Sequence, residues 1–420
     1  MTDAVPEPGT GGPGGPTGES EPNTPPLRLR DPLPAVVDDP AVLESTVAAV
    51  AAGTGPVALD AERASGYRYS PRAYLVQLRR EGAGTALIDP MPFDDLVALD
   101  AAIADAEWIL HAAIQDLPCL TELGLRPRRL FDTELAGRLL NMPRVGLATL
   151  VSELLGWSMV KEHSAVDWST RPLPKPWLEY AALDVEMLVE LRDVLVERLK
   201  AADKLEWARE EFDALRDYSG PAVRADPWRR TSGIHRVRGR RALAIVRSLW
   251  ETRDELARTR DTAPGRILPD AVIVELAREG PRGASAVRAA AALQPRRARR
   301  DLESWVDAVT RAQALPESKL PTATAPSTGP PPPRAWPDRD PAAAARLTAT
   351  RAVVTDLAER HDLPAENLIA PDLIRRLAWE PPVELSQATV AARLTDSGAR
   401  AWQVGLLAAG LADALAAAND

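Results

Sequence analysis

Three short runs, V-A-L-D-A-E (57–62), Y-L-V-Q-L-R-R (74–80) and T-A-L-I-D-P (85–90), decide the fold. The first is an apolar run closed by two acids. Its spacing predicts a buried strand with Asp60 and Glu62 on one side and Ala61 turned into the core. The other two runs read as strands joined by a hairpin at E-G-A-G (81–84). Residues 95–105 read as a helix and Trp108–Ile114 as another short buried strand. Residues 176–200 read as the clearest helix, with Trp177, Ala181, Val185, Leu188, Leu191 and Leu195 on one stripe. Strands first, then strand–helix alternation, predict an α/β sheet covered by helices.

Further acids fall on this frame in a fixed order. Asp116 follows W-I-L-H-A-A-I-Q, and Tyr180 and Asp184 lie four apart on one helical face in Y-A-A-L-D. Taken singly, Asp116 reads better as a helix N-cap before Pro118, Glu62 and Asp184 can be solvated charges, and Tyr180 a half-buried core residue. Asp60 resists that treatment, because two buried acids without a cation repel each other and pay for desolvation. Oxygen-only carboxylate ligands suit two hard divalent cations, Mg2+ or Mn2+. Two such cations can cut a phosphodiester bond. Four scattered histidines and one cysteine argue against a zinc site built on those ligands.

The order D-x-E, Asp, Y-x-x-x-D resembles the signature of the DEDD exonucleases, tyrosine subclass. V-D-W-S-T-R-P-L-P-K-P-W-L-E-Y-A-A-L-D-V-E-M-L (166–188), H-A-A-I-Q-D-L (111–117) and F-D-T-E-L-A (131–136) are similar to the ribonuclease D family. The resemblance implies a ribonuclease H-like α/β exonuclease domain followed by one or two all-α helical domains of the HRDC (helicase-and-RNase-D C-terminal) type. It implies a 3′→5′ exoribonuclease acting on free RNA 3′ ends, tRNA precursors included, and releasing nucleoside 5′-monophosphates. It also implies that Asp60, Glu62 and Asp184 hold one cation. Asp60 reaches the second, Asp116 acts largely through water, and Tyr180 orients the attacking water. A DNA 3′→5′ exonuclease and a non-catalytic nucleic-acid-binding adaptor are the alternatives.

Composition sets the remaining expectations. The 420 residues exceed one ordinary core. We expect a disordered tail over 1–30, the exonuclease domain over 31–215 and a basic connector over 216–234. An HRDC domain is expected over 235–315, a proline-rich linker over 316–340 that does not pack, and a divergent HRDC-like block over 341–420. The helical blocks echo each other: W-E-T-R-D-E-L-A-R-T-R-D-T-A-P-G-R-I-L-P-D (250–270) sits beside T-A-T-R-A-V-V-T-D-L-A-E-R-H-D-L-P-A-E-N-L-I-A-P-D (348–372). The net charge of −9 argues against one large basic nucleic-acid surface. Local charge points elsewhere: Arg229, Arg230, Arg236, Arg238, Arg240 and Arg241 form a run that can track phosphates, with Trp228 as a stacking platform. The run's other reading is a solvated face, with Trp228 docking the connector. Arg296, Arg297, Arg299 and Arg300 make a second cluster. Gln77, Lys161, Trp168 and Arg171 occupy places where the family resemblance puts substrate-facing residues, although Gln77 reads as well as a plain strand residue and Arg171 as an ion-pair partner. His111 reads as a hydrogen-bonded core histidine and Cys119 as a small buried hydrophobe. No apolar run is long enough to cross a bilayer, the N-terminus has no secretory signal, and the lone cysteine fits a reducing cytoplasm. No protein partner is legible.

Overall fold

The strand around Asp60 lies in the middle of a six-stranded mixed sheet. The structure, a computed structural model, describes residues 24–159, 163, 165–221, 225–294, 296–324 and 329–418, and within these not the Arg297 side chain. The strands are β1 (Val36–Val37), β2 (Thr54–Arg63), β3 (Ala73–Glu81), β4 (Gly84–Ile88), β5 (Glu107–Leu110) and β6 (Arg129–Asp132). Their order across the sheet is β1-β4-β3-β2-β5-β6. β2, β3 and β4 form the predicted antiparallel meander, while β5 and β6 run parallel to β2. Leu59, Ala61, Val76, Leu78 and Ile88 join the main core. Leu75 and Leu87 meet Ala181 and Ala182 in a second apolar cluster.

Helices cover the sheet: α1 (Pro40–Ala52), α2 (Val97–Ala102), α3 (Leu117–Glu122), α4 (Thr133–Leu139), α5 (Leu147–Leu155), α6 (Lys175–Glu186), α7 (Leu188–Ala201) and α8 (Leu205–Leu215). The single helix expected over 176–200 is in fact two, broken at Met187. The break lets α6 lie against β2, β3 and β4 while α7 turns to pack on β2, β5, α4 and α5. The expected strand over 108–114 stops at Leu110. Ala112 turns left-handed (φ 56°), because the Asp132 carboxylate accepts the amides of Ala112 (3.1 Å) and Ala113 (2.8 Å).

Two helical blocks follow. The first holds α9 (Arg240–Thr259), α10 (Pro264–Ile267), α11 (Asp270–Glu279), α12 (Gly283–Ala289), α13 (Arg296–Arg299) and α14 (Leu302–Ala314). The second holds α15 (Trp336–Arg339), α16 (Pro341–Arg360), α17 (Ala365–Leu368), α18 (Pro371–Trp379), α19 (Gln387–Asp396) and α20 (Ala401–Ala417). Both contain a 20-residue helix, a left-handed aspartate (Asp261, φ 44°; Asp362, φ 47°), a four-residue helix and a further helix. Among the described residues no helix is long and apolar enough to cross a membrane.

Three expectations about flanking segments change. Residues 1–23 lie outside the described residues, but 24–30 are ordered. Leu27 is buried, its amide donates to the Ser158 carbonyl (2.8 Å), and Arg30 reaches Glu186 and Glu190. The connector is part of the first helical block, since Trp228 sits in that block's core. The proline-rich linker packs as well. Leu320 and Trp336 are buried, and the Trp336 indole donates to the Pro331 carbonyl (2.7 Å). Proline fixes backbone angles without preventing large apolar neighbours from entering a core.

Candidate active site

Strand alternation aims Asp60 and Glu62 to one side of β2, and α6 lies over that side. One helical turn separates Tyr180 from Asp184, so both face the strand. Asp60, Glu62 and Asp184 each offer a carboxylate oxygen, and these atoms all lie within 4.8 Å of one another. Asp116 arrives from the turn that Asp132 holds. It stands at the start of α3 but makes no side-chain capping bond, so the N-cap reading does not apply. A cleft of about 370 Å³ is lined by all five residues, together with Arg63, His111, Gln115 and Met159.

The electrostatics are those of acids crowded out of water. Burial, then repulsion from Asp60, Asp184 and Asp116, pushes Glu62 up to about 10. Burial raises Asp60 against the opposing pull of the Ala61 amide and Arg63. Asp116 and Asp184 are held well above the carboxylate range by burial and then by Asp60. Burial, Asp184 and Glu62 keep the Tyr180 phenol protonated. A nearby divalent cation would oppose each of these upward shifts by stabilising the charged carboxylates. The donor set is all oxygen and compact, which fits a hard cation such as Mg2+ or Mn2+.

Around this centre the neighbours are mainly structural. His111 Nδ1 lies 2.9 Å from Thr133 Oγ1, and burial lowers its pKa to about 4, so the ring is neutral. Burial pushes the Cys119 thiol up to about 12, leaving it inert. Asp132 escaped the sequence reading as a positioning residue. Its carboxylate also caps α4 through the amides of Glu134 and Leu135, fixing the turn that delivers Asp116. Arg63 was missed too: its Nη2 lies 3.6 Å from Asp116 Oδ1. Its place beside Glu62 was the available signal.

Several expected nucleic-acid contacts are committed elsewhere. Gln77 faces Asp60 across the β2–β3 ladder, yet it is fully buried, lies outside the cleft lining, and its side chain makes no hydrogen bond within the protein. All five Arg171 donors are used within the protein. They go to both Asp89 oxygens and to the carbonyls of Tyr74, Trp168 and Thr170. Trp168 is buried beside Trp177. Lys161 lies outside the described residues.

The basic run divides in two. Trp228 is 2 % exposed and cannot stack on a base, its indole donating to Asp226 (3.0 Å). Arg229 covers that ring and pairs with Asp226. Arg240 donates to the carbonyls of Glu317, Leu320 and Pro321, and Arg241 to those of Ala312, Gln313 and Leu315. These side chains fasten the linker to the block. Arg230, Arg236 and Arg238 remain exposed, Arg236 within 3.6 Å of Glu275 and Arg238 bonded to the His235 carbonyl. Arg296, Arg299 and Arg300 are exposed as well.

Residues 34–200 match a family described as 3′-5′ exonuclease, and 242–309 match the HRDC domain. Residues 329–415 match a family described as 3′ to 5′ exonuclease C-terminal domain. The ribonuclease D of Gluconacetobacter diazotrophicus is 30% identical over 338 residues, covering 78% of this chain and 82% of the relative. That of Acidiphilium cryptum is 33% identical over 313 residues, covering 70% and 78%. A solved protein from Bifidobacterium adolescentis superposes with a TM-score of 0.85 at 39% identity, covering 94% of this chain and all of that one. Escherichia coli RNase D, an exoribonuclease involved in structured RNA processing, superposes with a TM-score of 0.66 at 27% identity, covering 91% and 98%.

Proposed function

The chain belongs to the ribonuclease D family and is a 3′→5′ exoribonuclease that uses a divalent metal, and we propose how its own residues do that work. Asp60, Glu62 and Asp184 would hold one Mg2+ or Mn2+, and Asp60 and Asp116 would help to hold a second. When bound, such cations would supply an activated water and offset negative charge on the scissile phosphate. Tyr180, kept protonated, orients the water by hydrogen bonding and does not act as a base. Asp132 acts at one remove, holding the turn that presents Asp116. The substrate is RNA with a free 3′ end, stable-RNA precursors such as those of tRNA among them. The product is one nucleoside 5′-monophosphate per cycle. The exposed Arg230, Arg236 and Arg238 steer the RNA body toward the cleft, and the work takes place in the cytoplasm.

One observation carries this reading. Three carboxylates within 4.8 Å, in a cleft that also holds Asp116 and Tyr180, are electrostatically unfavourable without cations. The test uses 3′-labelled RNA and DNA oligonucleotides with Mg2+, Mn2+ or EDTA. Metal-dependent release of mononucleotides from RNA is expected, and Asp184→Asn should lower that rate by at least about 10³-fold with the melting curve retained. An Asp184→Asn protein that degrades RNA at the parent's rate would defeat the assignment.

A further inference from the structure

Arg63 ends β2 at a slip in register. Glu62 faces Leu75 on β3, but Arg63 faces Ala73, leaving Tyr74 unmatched. A bulge of this kind increases the local twist and re-aims side chains, often beside active sites. Here the guanidinium enters the cleft among Asp60, Glu62, Asp116, Tyr180 and Asp184. The contact with Asp116, at 3.6 Å, is an ion pair too long for a hydrogen bond, and the Arg63 side chain keeps 28% of its exposure. Its fork donates no hydrogen bond to any described residue. Arg171, whose donors are all engaged, is the contrast. Among the described residues lining the cleft, Arg63 is the one lysine or arginine, and His111 there is neutral.

We propose that Arg63 binds the scissile phosphodiester of the RNA, and that in the cation-free protein the same guanidinium is the counter-ion of Asp116. This rests on the exonuclease reading above. A planar fork with uncommitted donors matches two non-bridging phosphate oxygens. Leaving Asp116 is easy because the pair is loose, the guanidinium is 28% exposed, and cations in the cleft would take over the charge of the buried Asp116. The charges agree: four carboxylates and one guanidinium line the cleft. Two divalent cations and one phosphodiester bring that set to neutrality. Without Arg63 the cation-loaded cleft is neutral and offers no net positive charge to an anionic substrate.

The two roles give effects of opposite sign, which a merely structural arginine would not. Removing the guanidinium frees Asp116 and removes repulsion toward a cation, yet it takes a partner from the phosphate. In full-length protein without RNA, calorimetric Mn2+ titration of Arg63→Gln should show binding about three- to tenfold tighter than in the parent. On labelled RNA with Mg2+, the same variant should lose about 10²-fold in kcat/KM, with raised KM and weaker inhibition by a nucleoside 5′-monophosphate. Arg63→Lys should keep the parental Mn2+ affinity and lose about tenfold in kcat/KM, since it keeps the charge without the fork. A folded Arg63→Gln protein with parental kcat/KM overturns phosphate binding. Unchanged or weaker Mn2+ binding overturns the counter-ion role. Should Arg63→Gln fail to fold, Arg63→Lys decides, and parental kinetics there reject the fork. A parent protein that never releases mononucleotides from RNA sinks the exonuclease reading instead.

Discussion

The two helical blocks share a motif and dock on the exonuclease domain by opposite means. In the first block Asp261 accepts the amides of Tyr69 (3.2 Å) and Ser70 (2.9 Å), and the Tyr69 hydroxyl donates to Asp254 (3.0 Å). The Ala263 amide donates to the Tyr67 carbonyl (2.9 Å), and Arg266 lies over the Tyr67 ring. This dock is polar and rests on the loop that runs directly on from Asp60, Glu62 and Arg63. In the second block Asp362 accepts from Asn141 (2.7 Å) and, through its carbonyl, from Lys204 (2.8 Å). There Trp402 stacks on Trp207 with ring centroids 4.8 Å apart, and Trp336 through Leu415 share one continuous core with the sheet domain. Apolar burial dominates the dock of the second block, with a few directional bonds beside it; directional bonds dominate that of the first. Burial contributes more stability, while directional bonds set the placement of the loop beside the cleft.

Breaking the apolar dock should have the largest effect on stability. Trp402→Ala removes a buried stacked indole and should cost about 3 kcal/mol, read as a lower urea midpoint. Its kcat/KM on a short RNA should stay near the parent's. A large loss of turnover with unchanged stability would reverse the roles assigned to the two docks.

The cleft itself supplies the next effect. Its carboxyls are raised in the folded, cation-free protein, so they favour folding while protonated. That contribution is complete below the ordinary carboxylate value near pH ~4. It is lost as the pH climbs toward the folded values, about 10 for Glu62. Mg2+ should therefore raise the melting temperature more at pH 8 than at pH 5. At a hundredfold excess over Kd the gain at pH 8 is about 2.7 kcal/mol. Equal shifts at both pH values would separate Mg2+ binding from these carboxylates.

The polar dock should show the smallest loss of stability and a disproportionate loss of rate. Asp261→Ala removes the acceptor for two loop amides and should cost about 1–2 kcal/mol, with kcat/KM on RNA down about tenfold. Parental kcat/KM in that variant would show that the loop is held without the first helical block.

Much of this was legible because it is local. V-A-L-D-A-E and Y-x-x-x-D place their acids by strand and helix periods alone, and the hairpin at 81–84 announces the meander. What escaped depends on distant partners. The break at Met187 suits a buried Glu186 that meets Arg79 at 3.3 Å and also Arg30. The turn at Ala112 is imposed by Asp132, twenty residues on. Trp228 among arginines looks like a base-stacking platform, but aromatic bulk is core-forming wherever a core is near, and those arginines hold carbonyls of the linker. Arg63 was hidden because its direction follows from a bulge whose extra residue, Tyr74, lies on another strand.

Anomalous diffraction from crystals grown with Mn2+ tests the assembly of the acids most directly. A strong peak bounded by Asp60, Glu62 and Asp184 is expected, lost in Asp184→Asn crystals. A well-ordered cleft at saturating Mn2+ with no peak among those three carboxylates would contradict that assembly.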